Sequence, residues 1–288
     1  MKLIAAFLLS YSILAAFSLD VSDTSIANGR TVLVEFKAQK GLVYKDIKLD
    51  KKRFKIFKNP LNSEKYYALI PISYYAKPSN KELLISYEEG SKKESKLLFL
   101  KVKDGEYKKE EIKVSSKKVN PRGKKVNKRI SKEYHEAMKI YNTVTPKSYI
   151  SSAFILPLES KITSSFGKAR VYNGSLKGYH SGTDFRAKVG TPIIAANDAK
   201  VVLVKNRFYS GGTVLLDHGE GIYTCYFHMS KFSVTKGEMV SKGQLLGLSG
   251  KSGRVTGPHL HFSARINGVQ VDPLQLISLL NNKLLKGN

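Results

Sequence analysis

Short runs of β-branched and aliphatic residues recur along this chain, and turn residues separate one run from the next. In the first hundred residues these runs lie at 31–36, 66–72, 83–87 and 97–102. Turn-forming pairs such as Asn59-Pro60 and Asn62-Ser63 stand between them. Strands at this spacing are typical of a small sandwich or barrel. Residues 19–114 are therefore predicted to form a β-sandwich-like domain.

Short apolar runs separated by turn residues recur after residue 150, and glycine is more frequent there. Further runs lie at 191–196, 199–204, 213–217 and 222–228. Between the last two, Gly219-Glu220-Gly221 indicates a hairpin turn. A short helix is predicted at 273–285. Residues 151–288 are thus predicted to form an all-β domain, and the whole chain is expected to be mainly β.

The stretch that joins the two domains, 115–150, is predicted to be a basic linker followed by a helix. Pro121 and Gly123 break regular structure in 115–129. A helix is predicted over 131–144, with Ser131 as its cap and one apolar stripe at helical spacing. The stripe consists of Ile130, Tyr134, Met138 and Tyr141. His135 lies off the stripe and is interpreted as a surface residue.

The net charge of +26 limits the classes of partner. Residues 113–150 hold eleven Lys and Arg against two Glu, a net charge of +9. Such a chain is attracted to polyanions, which include nucleic acid, anionic lipid and acidic wall polymers. The basic segment is interpreted as a solvated linker, and weak attraction to an anionic wall or membrane surface is the alternative.

The first 18 residues indicate the compartment. Lys2 is followed by an uncharged apolar stretch over 3–17, and small residues stand at Ala16 and Ser18. This is the pattern of a secretory signal peptide, and an uncleaved N-terminal anchor is the alternative. Export makes nucleic acid an unexpected partner and favours an envelope polymer. The single cysteine, Cys225, excludes an intramolecular disulfide and a zinc site built from several thiolates.

Four of the six histidines stand in patterns that suit a metal. His259 and His261 are two residues apart, so on a strand their side chains point to the same face. His180 and Asp184 share a face if their segment is extended, and His228 ends a predicted strand. Imidazole and carboxylate ligands suit zinc, and three protein ligands with an open position are typical of a catalytic site. The alternative is that these are unrelated surface or turn histidines.

Three of these motifs resemble those of the lysostaphin-type (LytM-like) zinc metallopeptidases. They are His180-Ser-Gly-Thr-Asp184, Tyr226-Phe-His228 and Gly257-Pro-His-Leu-His-Phe262. The resemblance covers about residues 152–275 in the family's order. It implies that His180, Asp184 and His261 bind one Zn²⁺. It also implies that His228 and His259 are catalytic and flank the attacking water, with His259 favoured as the base.

The resemblance further implies a peptidoglycan hydrolase that cuts peptide cross-links. A helix before the peptidase domain and no recognisable wall-targeting module favour the D-alanyl–meso-diaminopimelate bond over a glycine–glycine bond. This predicts a DD-endopeptidase with a role in wall remodelling or cell shape. The alternative is a non-catalytic wall-binding regulator that keeps the metal site. The N-terminal domain is expected to bind the wall or an envelope protein, or to hold the enzyme latent.

Three further residues are assigned little chemistry. Ser263 stands where many relatives carry glutamate, and little consequence is expected. His218 is predicted to stabilise the Asp-His-Gly turn. Cys225 is predicted to be buried on a strand, which makes a thiol protease an unsuitable interpretation.

Overall fold

A computed structural model describes residues 18–113, 121, 123–174 and 176–286. The predicted signal peptide lies outside the described residues except for Ser18. Most of the predicted linker before residue 123 also lies outside them. Within the described ranges, no helix is long and apolar enough to cross a membrane.

The N-terminal part is a pair of β-sheets packed face to face. Its strands are β1 Leu19–Val21, β2 Ser25–Ala27, β3 Thr31–Lys37, β4 Leu42–Leu49, β5 Lys52–Lys55, β6 Phe57–Lys58, β7 Lys65–Pro71, β8 Ser79–Glu89 and β9 Lys92–Lys103. One sheet has the order β1-β3-β7-β6 and the other β2-β9-β8-β4-β5. Inward residues such as Val34 and Ile70 of the first sheet meet Ile85 and Leu100 of the second in one core. The predicted sandwich-like, mainly β fold is confirmed.

The continuous apolar runs in the sequence did not predict strands β4 and β5. In β4, the exposed Lys45 and Lys48 alternate with the buried Tyr44, Ile47 and Leu49. A strand with one solvated face alternates in this way. Its apolar residues therefore never form the continuous run on which the prediction depended.

The second part is built on a large antiparallel sheet. Its strands are β10 Lys109–Ile112, β11 Ile162–Ser164, β12 Ala169–Tyr172, β13 Leu176–Tyr179, β14 Thr183–Arg186, β15 Pro192–Ile194, β16 Ala199–Arg207, β17 Gly211–Asp217, β18 Ile222–Met229, β19 Lys231–Phe232, β20 Met239–Val240, β21 Leu245–Leu248, β22 His259–Ile266 and β23 Val269–Val271. The large sheet has the order β11-β14-β22-β18-β17-β16-β20, with β23 beside β22. Two smaller sheets have the orders β15-β21-β19 and β10-β12-β13. Because β10 pairs with β12, the upstream segment contributes a strand to this part of the molecule.

The two faces of the large sheet have different roles. Leu260, Phe262 and Tyr226 lie on one face and belong to the main hydrophobic core. Side chains alternate across a strand, so His261 lies on the opposite face. Farther along that opposite face, Cys225 is fully buried, as predicted. The candidate site therefore has a packed core directly behind it.

Helix α1, Lys124–Tyr141, lies on the same face of the sheet as Cys225. The predicted helix is present, but it begins at Lys124 and not at residue 131, so its predicted start was wrong. Lys and Arg are good helix formers, and the basic residues after Gly123 extend the helix instead of forming linker. His135 is exposed, as predicted.

The buried face of the helix matches the predicted stripe only in part. Its buried residues are Glu133, Ala137 and Tyr141, whereas Tyr134 is 59% exposed. Glu133 tolerates burial because it accepts hydrogen bonds from Arg129 Nε at 2.7 Å and from the backbone N–H of Phe208 at 2.8 Å. A charged residue on the buried face is outside what apolar periodicity can predict.

The chain closes with helix α2, Pro273–Leu279, and a π-helical turn, Leu280–Leu284, close to the predicted 273–285. This end of the chain joins the two parts. Thr31 N–H donates to Gln275 Oε1 at 3.0 Å, and Gln275 Nε2 donates to the Thr31 carbonyl at 2.9 Å. Leu33, Tyr67 and Leu69 of the N-terminal sandwich belong to the main core of the second part. The two parts thus share a continuous apolar interface.

Glu220 is a buried acid in this interface. The Tyr67 hydroxyl donates to its carboxylate. Burial raises the pKa of Glu220 from its ordinary value of 4.5 to about 7. The native state therefore holds this proton more tightly than the unfolded chain. Its contribution to the free energy of unfolding is complete below pH 4.5 and is lost as the pH rises through about 7.

Glu220→Gln is expected to remove this loss of stability at high pH. Glutamine does not ionise, and its oxygen can still accept a hydrogen bond from Tyr67. At pH 8 the variant should be more stable than the parent by about 1–3 kcal/mol, with little difference near pH 4.5. Urea unfolding at both pH values measures this, with the exposed Glu159→Gln as the control. An equal difference at both pH values would contradict the assignment.

Candidate active site and metal centre

Two neighbouring strands bring three of the predicted residues together. β14 pairs antiparallel with β22, and Asp184 stands directly opposite His261. His259 is two residues earlier on β22 and points to the same face. Asp184 Oδ1 lies 2.8 Å from His261 Nδ1 and 3.6 Å from His259 Nε2. The prediction that both histidines share one face is confirmed.

His180 reaches the same point from the loop before β14. Its Nε2 lies 2.9 Å from Asp184 Oδ1 and 3.0 Å from His261 Nδ1. The loop passes very close to β22 at Gly182. A Cβ there would lie 2.3 Å from the carbonyl oxygen of Phe262 and 2.6 Å from His261 Nε2. The glycine of the His-Ser-Gly-Thr-Asp motif is therefore required for this close approach.

The three side chains form a group that could hold a metal ion. Within the described residues, the ligand atoms of His180, Asp184 and His261 all lie within 4.8 Å of one another, and all three residues are buried. Two imidazoles and one carboxylate suit zinc, and three protein ligands leave a position open for a reacting group. His180 Nδ1 donates to the Ser165 carbonyl at 2.8 Å, which leaves the lone pair of the neutral ring on Nε2.

The protonation states also fit a metal. Burial would raise the pKa of Asp184, but its close polar contacts with His180 and His261 outweigh this effect and hold that pKa well below its usual range. Burial lowers the pKa of His261 to about 4, despite the opposing effect of the Asp184 carboxylate. A carboxylate and a neutral imidazole are the forms in which these residues bind metal. The residues present therefore fit a zinc ion at neutral pH.

His228 reaches the site through a β-bulge. Between two successive pairs, β18 has one residue more than β17. His228 has φ 63°, a conformation that residues other than glycine seldom adopt. Regular alternation would place it on the face opposite Phe227, whose ring stacks on that of His261. With the bulge, the His228 ring centre lies 4.8 Å from that of His259.

The two flanking histidines present the same ring nitrogen. His228 Nδ1 donates to the Ser252 carbonyl at 2.8 Å, and His259 Nδ1 donates to the Gly257 carbonyl at 2.9 Å. In each neutral ring Nε2 then carries the lone pair. Burial, together with His261 and His259, lowers the pKa of His228 well below its usual value. The His259 side chain is more accessible, at 17% exposed.

A second layer of polar side chains, which sequence analysis missed, lies behind the ligands. Arg170 Nη2 donates to Asp184 Oδ2 at 3.3 Å, and Ser164 Oγ lies 3.2 Å from His180 Nδ1. Glu110 of β10 contacts both Arg170 and Ser164. No motif spacing relates Glu110 to the site, so the sequence held no signal for it.

An open groove runs beside the site. It has a volume of about 330 Å³, and its lining includes Thr163, Asp184, Thr256 and His259. The strand β10 forms another part of its wall. An extended peptide segment could therefore reach His259 and the ligand group from this side.

His218 lies away from this group. It is fully buried, with Nδ1 2.8 Å from the Asp198 carbonyl and Nε2 2.8 Å from Thr224 Oγ1. Burial lowers its pKa to about 4, so the ring is neutral. These contacts agree with the predicted structural role beside the Asp217–Gly221 turn.

Comparisons with known proteins agree with this geometry. Residues 178–273 match the family described as Peptidase family M23. The chain is 42% identical over 122 residues to the peptidoglycan DD-endopeptidase ShyA of Vibrio cholerae, covering 41% of this chain and 28% of that protein. It is 40% identical over 97 residues to the DD-carboxypeptidase/endopeptidase Mpg of Neisseria meningitidis, covering 34% and 22%. The chain thus spans less than a third of the length of these curated relatives.

A solved structure matches more of the chain. It is a protein of Pseudomonas aeruginosa assigned to peptidase M23, with a TM-score of 0.67 and 25% identity. The match covers 87% of this chain and 94% of that one, so it reaches into the N-terminal sandwich. The three candidate ligands and both flanking histidines all lie within residues 178–273, the segment that matches Peptidase family M23.

Proposed function

We propose that this chain is a zinc-dependent peptidoglycan hydrolase, and most specifically a DD-endopeptidase that cuts the D-alanyl–meso-diaminopimelate cross-link. The observation that carries the proposal is the convergence of His180, Asp184 and His261 beside two further histidines at an open groove. Three protein ligands with an open position are what a hydrolytic zinc site needs. His180, Asp184 and His261 are the proposed ligands, and His228 and His259 are the proposed catalytic residues.

A zinc ion held by these ligands supplies Lewis-acid chemistry, which makes a water molecule more acidic and polarises the scissile carbonyl. The chain's own residues then move the proton. His259 is proposed as the general base, because its Nε2 carries the lone pair while Nδ1 is held by Gly257. The Asp184 carboxylate, 3.6 Å away, stabilises the positive charge that develops on the ring.

His228 is proposed to assist the proton transfer and not to act as the general base. It is more deeply buried than His259, so a positive charge on its ring costs more. Its Nδ1 is held by the Ser252 carbonyl, which fixes the ring beside His259. From there Nε2 can accept a hydrogen bond from the attacking water and orient it for proton transfer to His259.

The names of the relatives support the choice of bond. ShyA is a peptidoglycan DD-endopeptidase and Mpg a DD-carboxypeptidase/endopeptidase, and the similarities extend over 122 and 97 residues of this chain. The signal-peptide pattern over 1–18 supports export, and the periplasm is the proposed location. The N-terminal sandwich, within a segment of net positive charge, is proposed to contact the wall or an envelope protein.

Product mass spectrometry tests the proposal. Residues 19–288 loaded with zinc are incubated with isolated cross-linked muropeptides, with and without a chelator. Cross-linked dimers should be converted to intact tetrapeptide monomers, and the chelator should abolish the conversion. Loss of terminal D-alanine from monomers would instead indicate carboxypeptidase activity. Zinc binding without any cleavage would favour the non-catalytic regulator.

A further inference from the structure

The strand β10 carries an acidic residue to the back of the ligand group. β10 pairs in parallel with β12, and Glu110 stands in register with Arg170. Both residues lie outside the segment 178–273 that matches the peptidase family. Glu110 comes from the end of the N-terminal part, so it reaches the site only because β10 pairs with β12.

The contacts form a continuous path from Glu110 to one ligand. Arg170 Nε donates to Glu110 Oε2 at 3.1 Å, and Arg170 Nη2 donates to Asp184 Oδ2 at 3.3 Å. The oxygen of Asp184 that faces the two ligand histidines is the other one, Oδ1. One guanidinium therefore spans both carboxylates, and it contacts Asp184 on the side away from the metal group.

A second, weaker path leads to another ligand. Ser164 Oγ lies 3.3 Å from Glu110 Oε2 and 3.2 Å from His180 Nδ1. Lys168 Nζ lies 3.4 Å from Glu110 Oε1. The Arg170 side chain is 15% exposed and that of Glu110 27% exposed, so the ion pair is partly shielded from water. Burial would raise the pKa of Glu110, but Arg170 and Lys168 outweigh this effect and lower that pKa.

We infer that Glu110 is a positioning residue of the metal centre, which holds Arg170 on Asp184 and offsets the positive charge of Arg170 beside a bound cation. This inference rests on the proposed zinc site. Without Glu110, the guanidinium would orient the ligand but would also repel the divalent ion, since like charges at this range in a poorly hydrated site interact strongly. Partners that orient and balance a ligand carboxylate contribute to metal affinity.

The test is a double-mutant cycle on the chain 19–288, with zinc affinity measured by competition against a chromophoric chelator. Glu110→Gln should weaken zinc binding by about 10-fold, within the range for outer partners of metal ligands. In an Arg170→Gln background the same change should cost less than about 2-fold, because the charge it offsets is gone. Glu111→Gln, on the exposed next residue of the strand, is the matched control and should change affinity by less than about 2-fold.

Equal losses in both backgrounds, or no loss in the parent, would overturn the inference. If Glu110→Gln does not yield a folded protein by circular dichroism, Glu110→Ala, which also removes the charge, replaces it in the same cycle with the same expected losses. Failure of the proposed function is distinguishable, because the parent itself would then bind zinc no more tightly than His261→Ala. A structural role for Glu110 alone would lower the melting temperature of the metal-free protein without coupling to Arg170 in zinc affinity.

Discussion

Asp184→Asn should abolish both zinc retention and hydrolysis. Asp184 Oδ1 is the atom that His180 and His261 both approach, at 2.9 and 2.8 Å, so it lies at the centre of the ligand group. The amide keeps the shape but removes the negative charge that balances a divalent cation. Zinc affinity should fall by more than the roughly 10–100-fold expected for an outer partner, and cross-link cleavage should fall below detection.

Metal content after gel filtration and the muropeptide assay measure these two effects. Asp50→Asn is a suitable control, because Asp50 is exposed and its φ of 51° is tolerated by asparagine. The control should keep the parent's zinc and activity. Stoichiometric zinc and normal cleavage in Asp184→Asn would show that the catalytic metal lies elsewhere.

His259→Ala should lower kcat by about 100- to 10,000-fold while the protein keeps its zinc, as removal of a general base does. The reason is that His259 stands beside the ligand group, at 3.6 Å from Asp184 Oδ1, but is not one of the three proposed ligands. His228→Ala should give a smaller loss of kcat, because its buried ring accepts a proton less readily.

Metal analysis and single-turnover cleavage of a defined cross-linked dimer separate these outcomes, with the exposed His135→Ala as the control. A larger loss in His228→Ala than in His259→Ala would reverse the two proposed roles. Loss of zinc from His259→Ala would make His259 a ligand.

The local pattern of the sequence was enough to predict much of the candidate site. His259 and His261 share a face because strand geometry has a period of two, whatever surrounds the strand. Gly182 lies within a motif whose spacing identified His180 and Asp184 as partners, and they meet at 2.9 Å. Most of the strands were also readable, since apolar runs between turn residues form strands in almost any β fold.

The buried face of helix α1 was only partly predictable from the local sequence pattern. Apolar periodicity assigned Tyr134 to the buried face, but Tyr134 is 59% exposed and Glu133 is buried. The difference arises because Arg129 and the backbone of Phe208 satisfy the Glu133 carboxylate. A partner 75 residues away along the chain is invisible to a pattern that spans a few helical turns.

The sequence by itself determined that the chain is mainly β and that His180, Asp184, His259 and His261 belong to one site, because short-range spacing and strand alternation are properties of the local chain. Only the tertiary structure decided that a bulge turns His228 towards His259, and that Glu110 reaches Asp184 through Arg170. These arrangements depend on the register between strands that are distant in sequence. Register is set by the packing of the whole sheet and not by the residues that it brings together.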